Sequence, residues 1–553
     1  MVTTSIHTSS KRVKINGQYF ALATEESGLP SPIQAYQVNV RADARRFAGQ
    51  SQRSDNVKVD RWVYPWQRGL GWSRQDRDTG RGYGGLRDAD ANTIHRVATA
   101  PLLPVSTDSS TNTEVDFIQF FLTFEGDLWA FGEETYSAST GDKTNIASVK
   151  FQSTDNTWRN GGGKAATADG NGYRVFDAVV HKGKMYIVTN DPVSGGSENQ
   201  IEVWSTPDGA TWSTASGASF THQDGSIPDA NSRRNHWGDH GFAKLLSFGN
   251  TLYLAAWAAD EELVRVQKTT DAGANWSVIT TISLSNPMVG AFVAWRDPFT
   301  AGMPAVPVLV LGSGVYKIDD SGTTFAEIFP LPEKREDGDW FTGSRAAVAA
   351  DGGLYVPVPG GDLLRLEVPQ QGTIVVSNCG PGTHAAGTAS DGLVEKRKGN
   401  VNAVHGSNSR WLCVAYGENT VASSARYGSI LAMDYETKAW HSLYLDPTAD
   451  RVIHALTLSP EDDGTQRLHW ATEATEDAGT TLSQQITNPL ADPAAGTSVS
   501  YRTGYMQFPN DDLGDPNADS AVMQALVDVE NLATSATGVH LEWFYGTTVS
   551  ACL

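Results

Sequence analysis

Short stretches in which side chains alternate between the two sides of an extended chain fill the middle of this sequence. In residues 185–189, for example, Met185, Ile187 and Thr189 alternate with Tyr186 and Val188. A period of two is that of a half-buried β-strand. Between residues 100 and 490 no stretch sustains a helical period. The pattern therefore predicts an all-β structure for this part of the chain.

One unit with two parts recurs along these strands. Its first part is a short strand that comes after a tight turn and ends in an aromatic or apolar pair. Four copies are residues 126–130 (Gly-Asp-Leu-Trp-Ala), 183–187 (Gly-Lys-Met-Tyr-Ile), 249–254 (Gly-Asn-Thr-Leu-Tyr-Leu) and 353–356 (Gly-Leu-Tyr-Val). Repeats of this kind predict an array of similar structural units.

The second part of the unit is a strand, an Asp/Gly turn and a closing aromatic residue. Three copies have these groups, at Asp208, Gly209 and Trp212, at Asp271, Gly273 and Trp276, and at Asp320, Gly322 and Phe325. An aspartate side chain can accept backbone N–H bonds, glycine allows positive φ, and the aromatic residue can reach between sheets. Degenerate copies end at Trp158 and Trp440. We expect each copy to close a hairpin.

These turns resemble the Asp-box (BNR-type) repeats of sialidase-like propellers. Residues 269–276 and 318–325 fit that pattern well, whereas residues 205–212 have the aspartate one place late, at Asp208. The resemblance implies a β-propeller, and the repeats predict six or seven blades. The expected blades lie near 110–160, 173–214, 240–279, 290–328, 343–376, 400–445 and 452–487.

Small β appendages are expected on both sides of the propeller. Residues 13–23 alternate as a hairpin around Asn16-Gly17, and residues 35–40 form another predicted strand. A Pro/Ala/Gly linker at 488–496 precedes predicted strands at 525–529 and 540–545. The predicted division is therefore an N-terminal element with a docking segment (1–105), the propeller (106–490) and a sandwich-like C-terminal segment (491–553).

The docking segment is dense in tryptophan and arginine. Its main candidates for contact with a partner are Trp62, Trp66, Arg68, Trp72 and Arg74. Such residues can pin a long loop onto the propeller, and they are also the types that dominate protein–protein interfaces. Both interpretations stay open.

Composition narrows the classes of function. The 553 residues carry a formal net charge of -21 and have a sequence pI of about 4.9, which disfavours binding to nucleic acid or anionic membranes. Cys379, Cys413 and Cys552 are too far apart for a disulfide framework or zinc site, so we expect free thiols. The N-terminus lacks the apolar core of a secretory signal. The most apolar stretch, 306–315, is too short to span a bilayer and predicts a buried strand.

The densest polar cluster is the segment 231–240. Arg233, Arg234, His236 and Trp237 are its candidates for contact with a ligand or partner. His236, Asp239 and His240 have a spacing that can hold a metal on a helix, but the segment is predicted to be a loop. A hydrogen-bonded loop, a ligand contact and a metal site are the three alternatives, and the first explains the sequence most simply.

A sialidase-like hydrolase would need an arginine cluster and a tyrosine nucleophile on the open face of the propeller. Arg233, Arg234 and Arg345 could form such a cluster with Tyr316 or Tyr427, but nothing in their spacing selects them. The Asp boxes of that family are structural and imply no catalytic role. No catalytic residue, metal ligand or cofactor is therefore assigned.

The order of segments resembles propeller-bearing virion proteins of tailed bacteriophages, which are tail, tail-tip or fibre-associated components. That order is the β element at 16–23, the segment 66–74, the propeller, and Gly504-Tyr505 followed by strands. The resemblance implies a noncatalytic virion protein, assembled in the host cytoplasm, that binds tail, neck or fibre subunits. A propeller that reads a host glycan or receptor, and the hydrolase, are the alternatives.

Overall fold

The computed structural model describes segments spread along the whole chain. They are residues 12–15, 18–23, 34–36, 85–87, 89–93, 96–99, 102–104, 115–134, 148–152, 157–160, 175–192, 198–214, 220–223, 243–258, 263–283, 289–319, 322–331, 347–358, 362–380, 400–406, 411–417, 428–435, 440–446, 452–460, 466–473, 480–486 and 505–507. Every regular element within them is a β-strand, which confirms the all-β prediction. The chain forms two compact units, Trp66–Gln507 and the combination of Met1–Pro65 with Phe508–Leu553.

The described part of the smaller unit is one antiparallel sheet of three strands. Its strands are β1 (Arg12–Ile15), β2 (Gln18–Ala23) and β3 (Gln34–Tyr36). β1 and β2 pair on either side of Asn16-Gly17, with Ile15 opposite Gln18. The predicted strands at 525–529 and 540–545 lie outside the described residues.

Four short strands open the larger unit. They are β4 (Gly85–Arg87), β5 (Ala89–Thr93), β6 (Arg96–Thr99) and β7 (Leu102–Pro104). β5 and β6 pair with each other, and β4 pairs with the last described strand, β36 (Tyr505–Gln507).

Within the described residues, the rest of the larger unit is a succession of seven antiparallel sheets. The first contains β8 (Val115–Phe124), β9 (Asp127–Glu134), β10 (Ser148–Gln152) and β11 (Thr157–Asn160). The second contains β12 (Val175–His181), β13 (Lys184–Pro192), β14 (Glu198–Thr206), β15 (Ser213–Thr214) and β16 (Phe220–Gln223). The third contains β17 (Ala243–Phe248), β18 (Thr251–Ala258), β19 (Leu263–Thr269) and β20 (Ser277–Ser283).

The fourth sheet contains β21 (Val289–Arg296), β22 (Ala305–Leu311), β23 (Gly314–Ile318) and β24 (Phe325–Pro330). The fifth contains β25 (Val348–Ala350), β26 (Gly353–Val358), β27 (Asp362–Gln370) and β28 (Thr373–Asn378). The sixth contains β29 (Asn400–Gly406), β30 (Trp411–Gly417), β31 (Ser429–Asp434) and β32 (Trp440–Leu445). The seventh contains β33 (Val452–Pro460), β34 (Gln466–Glu473) and β35 (Thr480–Ile486), together with β7.

The first strands of the sheets form a ring. β8, β12, β17, β21, β25, β29 and β33 each contact the next in this order, and β33 contacts β8. In each sheet the later strands pair one after another, starting from this first strand. The first strands therefore surround a shared centre, and each sheet extends outward from it. This is the arrangement of a β-propeller.

The strand β7 closes the ring from the other end of the sequence. It pairs antiparallel with β35, with Leu103 opposite Gln484. The predicted division at residue 105 assigned β7 to the N-terminal element, whereas the strand belongs to the seventh sheet. Without β7 the seventh sheet would have only three strands, and the backbone hydrogen bonds that β7 gains there come from a strand far away in the sequence.

The hydrophobic core lies in layers between neighbouring sheets. Trp129 and Trp204 represent the layer between the first and second sheets, and Ile118 and Ala471 the layer between the first and seventh. Other clusters join the second to fourth, fourth to fifth, fifth to sixth and sixth to seventh sheets. Face-to-face packing of this kind explains the high content of large aromatic residues.

Candidate functional site

The second Asp/Gly turn is built around the carboxylate of Asp271. Its Oδ1 accepts a 2.7 Å hydrogen bond from the Thr269 hydroxyl and a 2.9 Å bond from the backbone N–H of Asn275, whose side-chain amide donates to Oδ2 at 2.6 Å. The Gly273 N–H donates to the Thr269 hydroxyl at 3.2 Å, with a φ of 90° at Gly273. The aspartate thus holds the turn between β19 and β20.

The first turn has the same bonds but one residue fewer. The Thr206 hydroxyl donates to Asp208 Oδ1 at 3.0 Å and accepts from the Gly209 N–H at 2.8 Å, as Thr269 does in the second turn. The backbone N–H of Thr211 donates to Asp208 at 2.7 Å. Thr206, not Ser205, therefore opens this box. The missing residue lies between the aspartate and the glycine. Asp208 therefore lies two positions after Thr206, as Asp271 lies two positions after Thr269.

In the third turn the hydrogen bonds converge on Asp319. Its Oδ1 accepts from the backbone N–H groups of Thr323 and Thr324, at 2.9 and 3.2 Å. The Gly322 N–H donates to the Asp319 carbonyl at 2.9 Å. The predicted Asp320 lies outside the described residues. Asp319 gives no separate signal in the sequence, because both neighbouring aspartates suit a turn.

The first and second turns keep their aspartates ionised. Hydrogen bonds from Asn275, first from its side chain and then from its backbone, and from Thr269 lower the pKa of Asp271 to about 2. The backbone N–H groups of Thr211 and Ala210 lower the pKa of Asp208. A general acid needs a carboxyl group that stays protonated near neutral pH, which is the opposite shift. Asp208 and Asp271 therefore act as turn anchors.

The two parts of the sequence repeat meet across neighbouring sheets. Tyr186 on β13 donates from its hydroxyl to the Ala272 carbonyl in the turn of the next sheet, at 3.0 Å. Trp129 on β9 packs against Gly209, and Tyr355 on β26 lies with its ring centroid 6.3 Å from that of Tyr435. In each case an aromatic residue near the start of a second strand reaches the turn between the third and fourth strands of the next sheet. The repeat is therefore a joint between sheets.

A buried ion pair supports the loop 297–304 in the fourth sheet. Lys317 Nζ lies 2.7 Å from Asp297 Oδ2, and both side chains are buried. Asp297 also accepts bonds from the Thr300 hydroxyl at 2.6 Å and the Phe299 N–H at 2.8 Å. Burial by itself would raise the pKa of Asp297, but the hydrogen bonds from Lys317, Thr300 and Phe299 and the charge of Lys317 together lower it.

Charged groups also gather between the fifth and sixth sheets. Arg365 on β27 contacts Asp351 at 3.2 Å and Glu367 at 2.8 Å, and its guanidinium lies 5.7 Å from the Tyr355 ring centroid. Burial raises the pKa of Tyr355 and Tyr435 well above the ordinary tyrosine value. Both phenols stay protonated at neutral pH, so the cluster contains no activated tyrosine nucleophile.

Two histidines tie the ring strands together. His181 Nδ1 on β12 lies 2.9 Å from Ser247 Oγ on β17, and His405 Nδ1 on β29 lies 3.3 Å from Thr457 Oγ1 on β33. A serine beside a histidine can form a nucleophile and base, but His181 is only 1% exposed, which leaves no room for a substrate. Burial lowers the pKa of His181, and it lowers the pKa of His405 to about 4.

One further charged pair joins the same two strands as the His181–Ser247 hydrogen bond. Asp177 on β12 accepts a 2.8 Å bond from the Leu245 N–H and lies 3.7 Å from Lys244 Nζ on β17. Burial raises the pKa of Asp177 in spite of Lys244. These groups link the second and third sheets.

The predicted contact residues lie outside the described residues. They are Trp62, Trp66, Arg68, Trp72, Arg74, Arg233, Arg234, His236 and Trp237. The hydrolase candidates Arg345 and Tyr427 also lie outside the described residues. Tyr316, the other candidate nucleophile, is buried in the core with Phe325. Cys413 is a free thiol buried on β30, and Cys379 is a free thiol that is partly buried.

Two features are absent from the described part of the chain. No group of three or more His, Cys, Asp or Glu side chains there is placed to hold a metal ion. No helix long and apolar enough to cross a membrane occurs in those segments.

Comparison with known proteins gives matches only among solved structures, at low identity and low TM-score. No protein family and no curated protein matches the sequence. Among solved structures, the α-L-arabinofuranosidase Arb93A of Fusarium graminearum, in complex with an iminosugar inhibitor, shares 14% identity over 70% of this chain and 97% of that chain, with a TM-score of 0.40.

Two other solved structures match this chain with similar identity and TM-score. The GH74 enzyme of Niastella koreensis shares 14% identity over 69% of this chain and 55% of that chain, with a TM-score of 0.42. The α-L-arabinanase of Penicillium chrysogenum, complexed with arabinobiose, shares 14% identity over 70% of this chain and 98% of that chain, with a TM-score of 0.39. At this level of likeness, function has to be argued from this chain's own residues.

Proposed function

We propose that this protein is a noncatalytic structural component of a tailed-phage virion. Its propeller has seven blades, one for each sheet, and serves as a rigid platform for neighbouring tail, neck or fibre subunits. The order of segments along the sequence supports the virion assignment, and the -21 charge supports a position facing solvent or partner proteins rather than packaged DNA.

The observation that supports the platform function is that polar side chains form hydrogen bonds from one sheet to the backbone of its neighbour. Lys182 Nζ donates to the Thr270 carbonyl at 2.9 Å, Gln371 Nε2 to the Phe299 carbonyl at 2.9 Å, and Trp440 Nε1 to the Cys379 carbonyl at 2.8 Å. Each bond links one sheet to the next. Together with the aromatic joints they fix the sheets against each other, which is the property that a platform needs.

Peptide mass spectrometry of purified virions tests the proposal. Peptides of this chain should be found in particles purified by density gradient, at a ratio to the major tail protein that stays constant through repeated banding. A density map of the same particles should contain the propeller at a position contacted by other chains. Particles that lack the chain would overturn the virion assignment.

Carbohydrate binding and carbohydrate cleavage are the alternatives to the virion platform, and each can be measured directly. Purified protein should release no sugar from sialosides, bacterial surface polysaccharides or arabinobiose, and it should bind none of them on a glycan array. Sugar release that disappears when Arg233, Arg234 and Arg345 are replaced by alanine would assign a hydrolase instead. Binding without release would assign a glycan-reading propeller.

A further inference from the structure

The layer between the first and seventh sheets is the smallest of the core layers that the described residues form. Its buried cluster has five members, of which three are alanines: Ile118, Leu128, Ala130, Ala455 and Ala471. Every other cluster among the described residues has at least seven buried members and includes large aromatic side chains. Apolar stabilisation grows with the area buried, so this layer holds its two sheets together least. We call the contact between the first and seventh sheets the seam.

The seam is also joined differently along the chain. Elsewhere the last strand of one sheet leads on to the first strand of the next, whereas the seventh and first sheets are joined by β7, which pairs with β35 and leads into β8. β7 has three residues, and the outer strands β20, β24, β28 and β32 have six or seven. One of the three is Pro104, which has no N–H to donate. The pairing that closes the ring is therefore short.

A second pairing holds the strands that precede β7. β4 pairs antiparallel with β36, with Leu86 opposite Met506 and Gly85 opposite Gln507. β4 and β5 also contact β32, the outer strand of the sixth sheet. The short stretch 85–104 is thus attached to the sixth sheet, the seventh sheet and β36. Attachments within one short stretch reinforce each other, because each keeps the other strand close to its partner. We call the pairing of β4 with β36 the latch.

The latch lies on the path of the chain between the two compact units. The chain passes from the larger to the smaller unit between Gln507 and Phe508, and Gln507 is the last residue of β36. Among the described strands, β36 pairs only with β4. A pull on the chain at Phe508 therefore acts on the latch directly.

We propose that the ring can open at the seam and that the latch keeps it closed. Release of β36 frees β4, β7 then leaves β35, and the first and seventh sheets separate while the other sheets stay packed. The smaller unit thereby controls the closure of the ring. This device goes beyond the platform function and does not depend on the virion assignment.

The reactivity of a buried thiol measures opening of the seam. Ala471→Cys places a thiol in the seam, and Ala256→Cys is its matched control in the layer that joins the second to fourth sheets. Both alanines are buried on the second strand of a sheet and lie opposite an alanine of the ring strand, Ala455 and Ala243. Each full chain is treated with excess maleimide, and peptide mass spectrometry follows the modification. The thiol at position 471 should react about tenfold faster than the thiol at position 256, because local opening exposes it.

Breaking the latch should speed this reaction. Tyr505→Pro together with Met506→Pro removes two successive N–H groups of β36, one of which faces β4. The double variant should raise the rate at position 471 by about a further tenfold and leave position 256 unchanged. Cys413, buried between the sixth and seventh sheets, is an internal control and should also be unchanged. Ala494→Pro with Ala495→Pro, in the linker 488–496, is the matched control variant and should have no effect.

Locking the latch should have the opposite effect. Leu86→Cys with Met506→Cys places two thiols directly opposite each other, and their disulfide should slow the reaction at position 471 by about tenfold. Reduction, followed by removal of the reductant, should restore the rate. Equal rates at positions 471 and 256 would overturn the proposal, as would a rate at position 471 that neither latch variant changes. An equal increase at both positions and at Cys413 would also overturn it, because the latch would then stabilise the whole fold.

Discussion

The backbone of Gly209 lies directly against the indole of Trp129, so that a Cβ placed on Gly209 would come within 2.5 Å of Trp129 Cζ2. Gly209 belongs to the turn of the second sheet and Trp129 to the second strand of the first. The contact unites the two halves of the sequence repeat, since the glycine admits the aromatic side chain that follows the tight turn of the preceding sheet. Substitutions at this joint should therefore weaken the contact between two sheets.

Gly209→Ala should lower the free energy of unfolding by about 2–4 kcal/mol. The new methyl group collides with a buried ring, and the φ of 74° is unfavourable for alanine. Gly183→Ala is the matched control, because Gly183 has a φ of 75° but open space around its Cβ position. The control should cost about 1 kcal/mol. Urea unfolding followed by tryptophan fluorescence measures both, and equal losses would contradict the role of the Trp129 contact.

Tyrosines at two joints should respond differently to loss of their hydroxyl groups. Tyr186→Phe removes the bond to the Ala272 carbonyl and should cost about 1 kcal/mol. The buried Tyr355 hydroxyl has no hydrogen-bond partner within the described residues, so Tyr355→Phe should be neutral or stabilising. Thermal unfolding at one fixed scan rate compares the two variants. A larger loss at Tyr355 than at Tyr186 would refute this assignment.

The Asp297–Lys317 pair should be sensitive to removal of one partner. Lys317→Met leaves the Asp297 carboxylate buried without its cation and should cost about 3–5 kcal/mol. Since the folded pKa of Asp297 is lower than its ordinary value of 3.8, its contribution is complete above that pH and is lost as the pH falls through the folded pKa. Unfolding measured from pH 7 down to pH 2 checks both points. Stability of the variant equal to that of the unmodified chain would contradict them.

Acid should weaken the contact between the sixth and seventh sheets through His405. Its folded pKa of about 4 lies below the ordinary value of 6.5, so the unfolded chain takes up the proton first. Stability should therefore decline as the pH falls from 6.5 to 4, by up to about 3 kcal/mol. His405→Gln should flatten this decline, because glutamine does not titrate. An unchanged slope between pH 6.5 and pH 4 in this variant would show that other groups cause it.

The candidate functional residues illustrate where sequence arguments stop. Asp208, Gly209 and Thr211 could be recognised as a turn from their types alone, since a carboxylate, a glycine and nearby N–H groups interact within a few residues. Choosing Thr206 rather than Ser205 as the opening residue needed the hydrogen bonds themselves. The hydrogen bonds that Asp319 accepts likewise could not be assigned from sequence, because two adjacent aspartates offer the turn equivalent acceptors.

The exposure of three apolar side chains gave no sequence signal. Phe299, Val375 and Val376 look like core residues by type, and only their exposed fractions separate them from the buried residues around them. The Asp297–Lys317 pair is 20 residues apart in sequence and meets because β21, which ends just before Asp297, and β23, which carries Lys317, both pair with β22 in one sheet.

What the sequence determined by itself was local. Alternation of side chains and Asp/Gly turns specify hairpins and antiparallel sheets, because strand pairing and turn geometry depend on residues close together in the chain. The ring needed tertiary structure. Leu102–Pro104 completes a sheet that ends at Ile486, and Trp129 reaches a turn at Gly209. Such partners are chosen by packing between sheets and by the need to satisfy an open strand edge, and neither leaves a periodic pattern in the sequence.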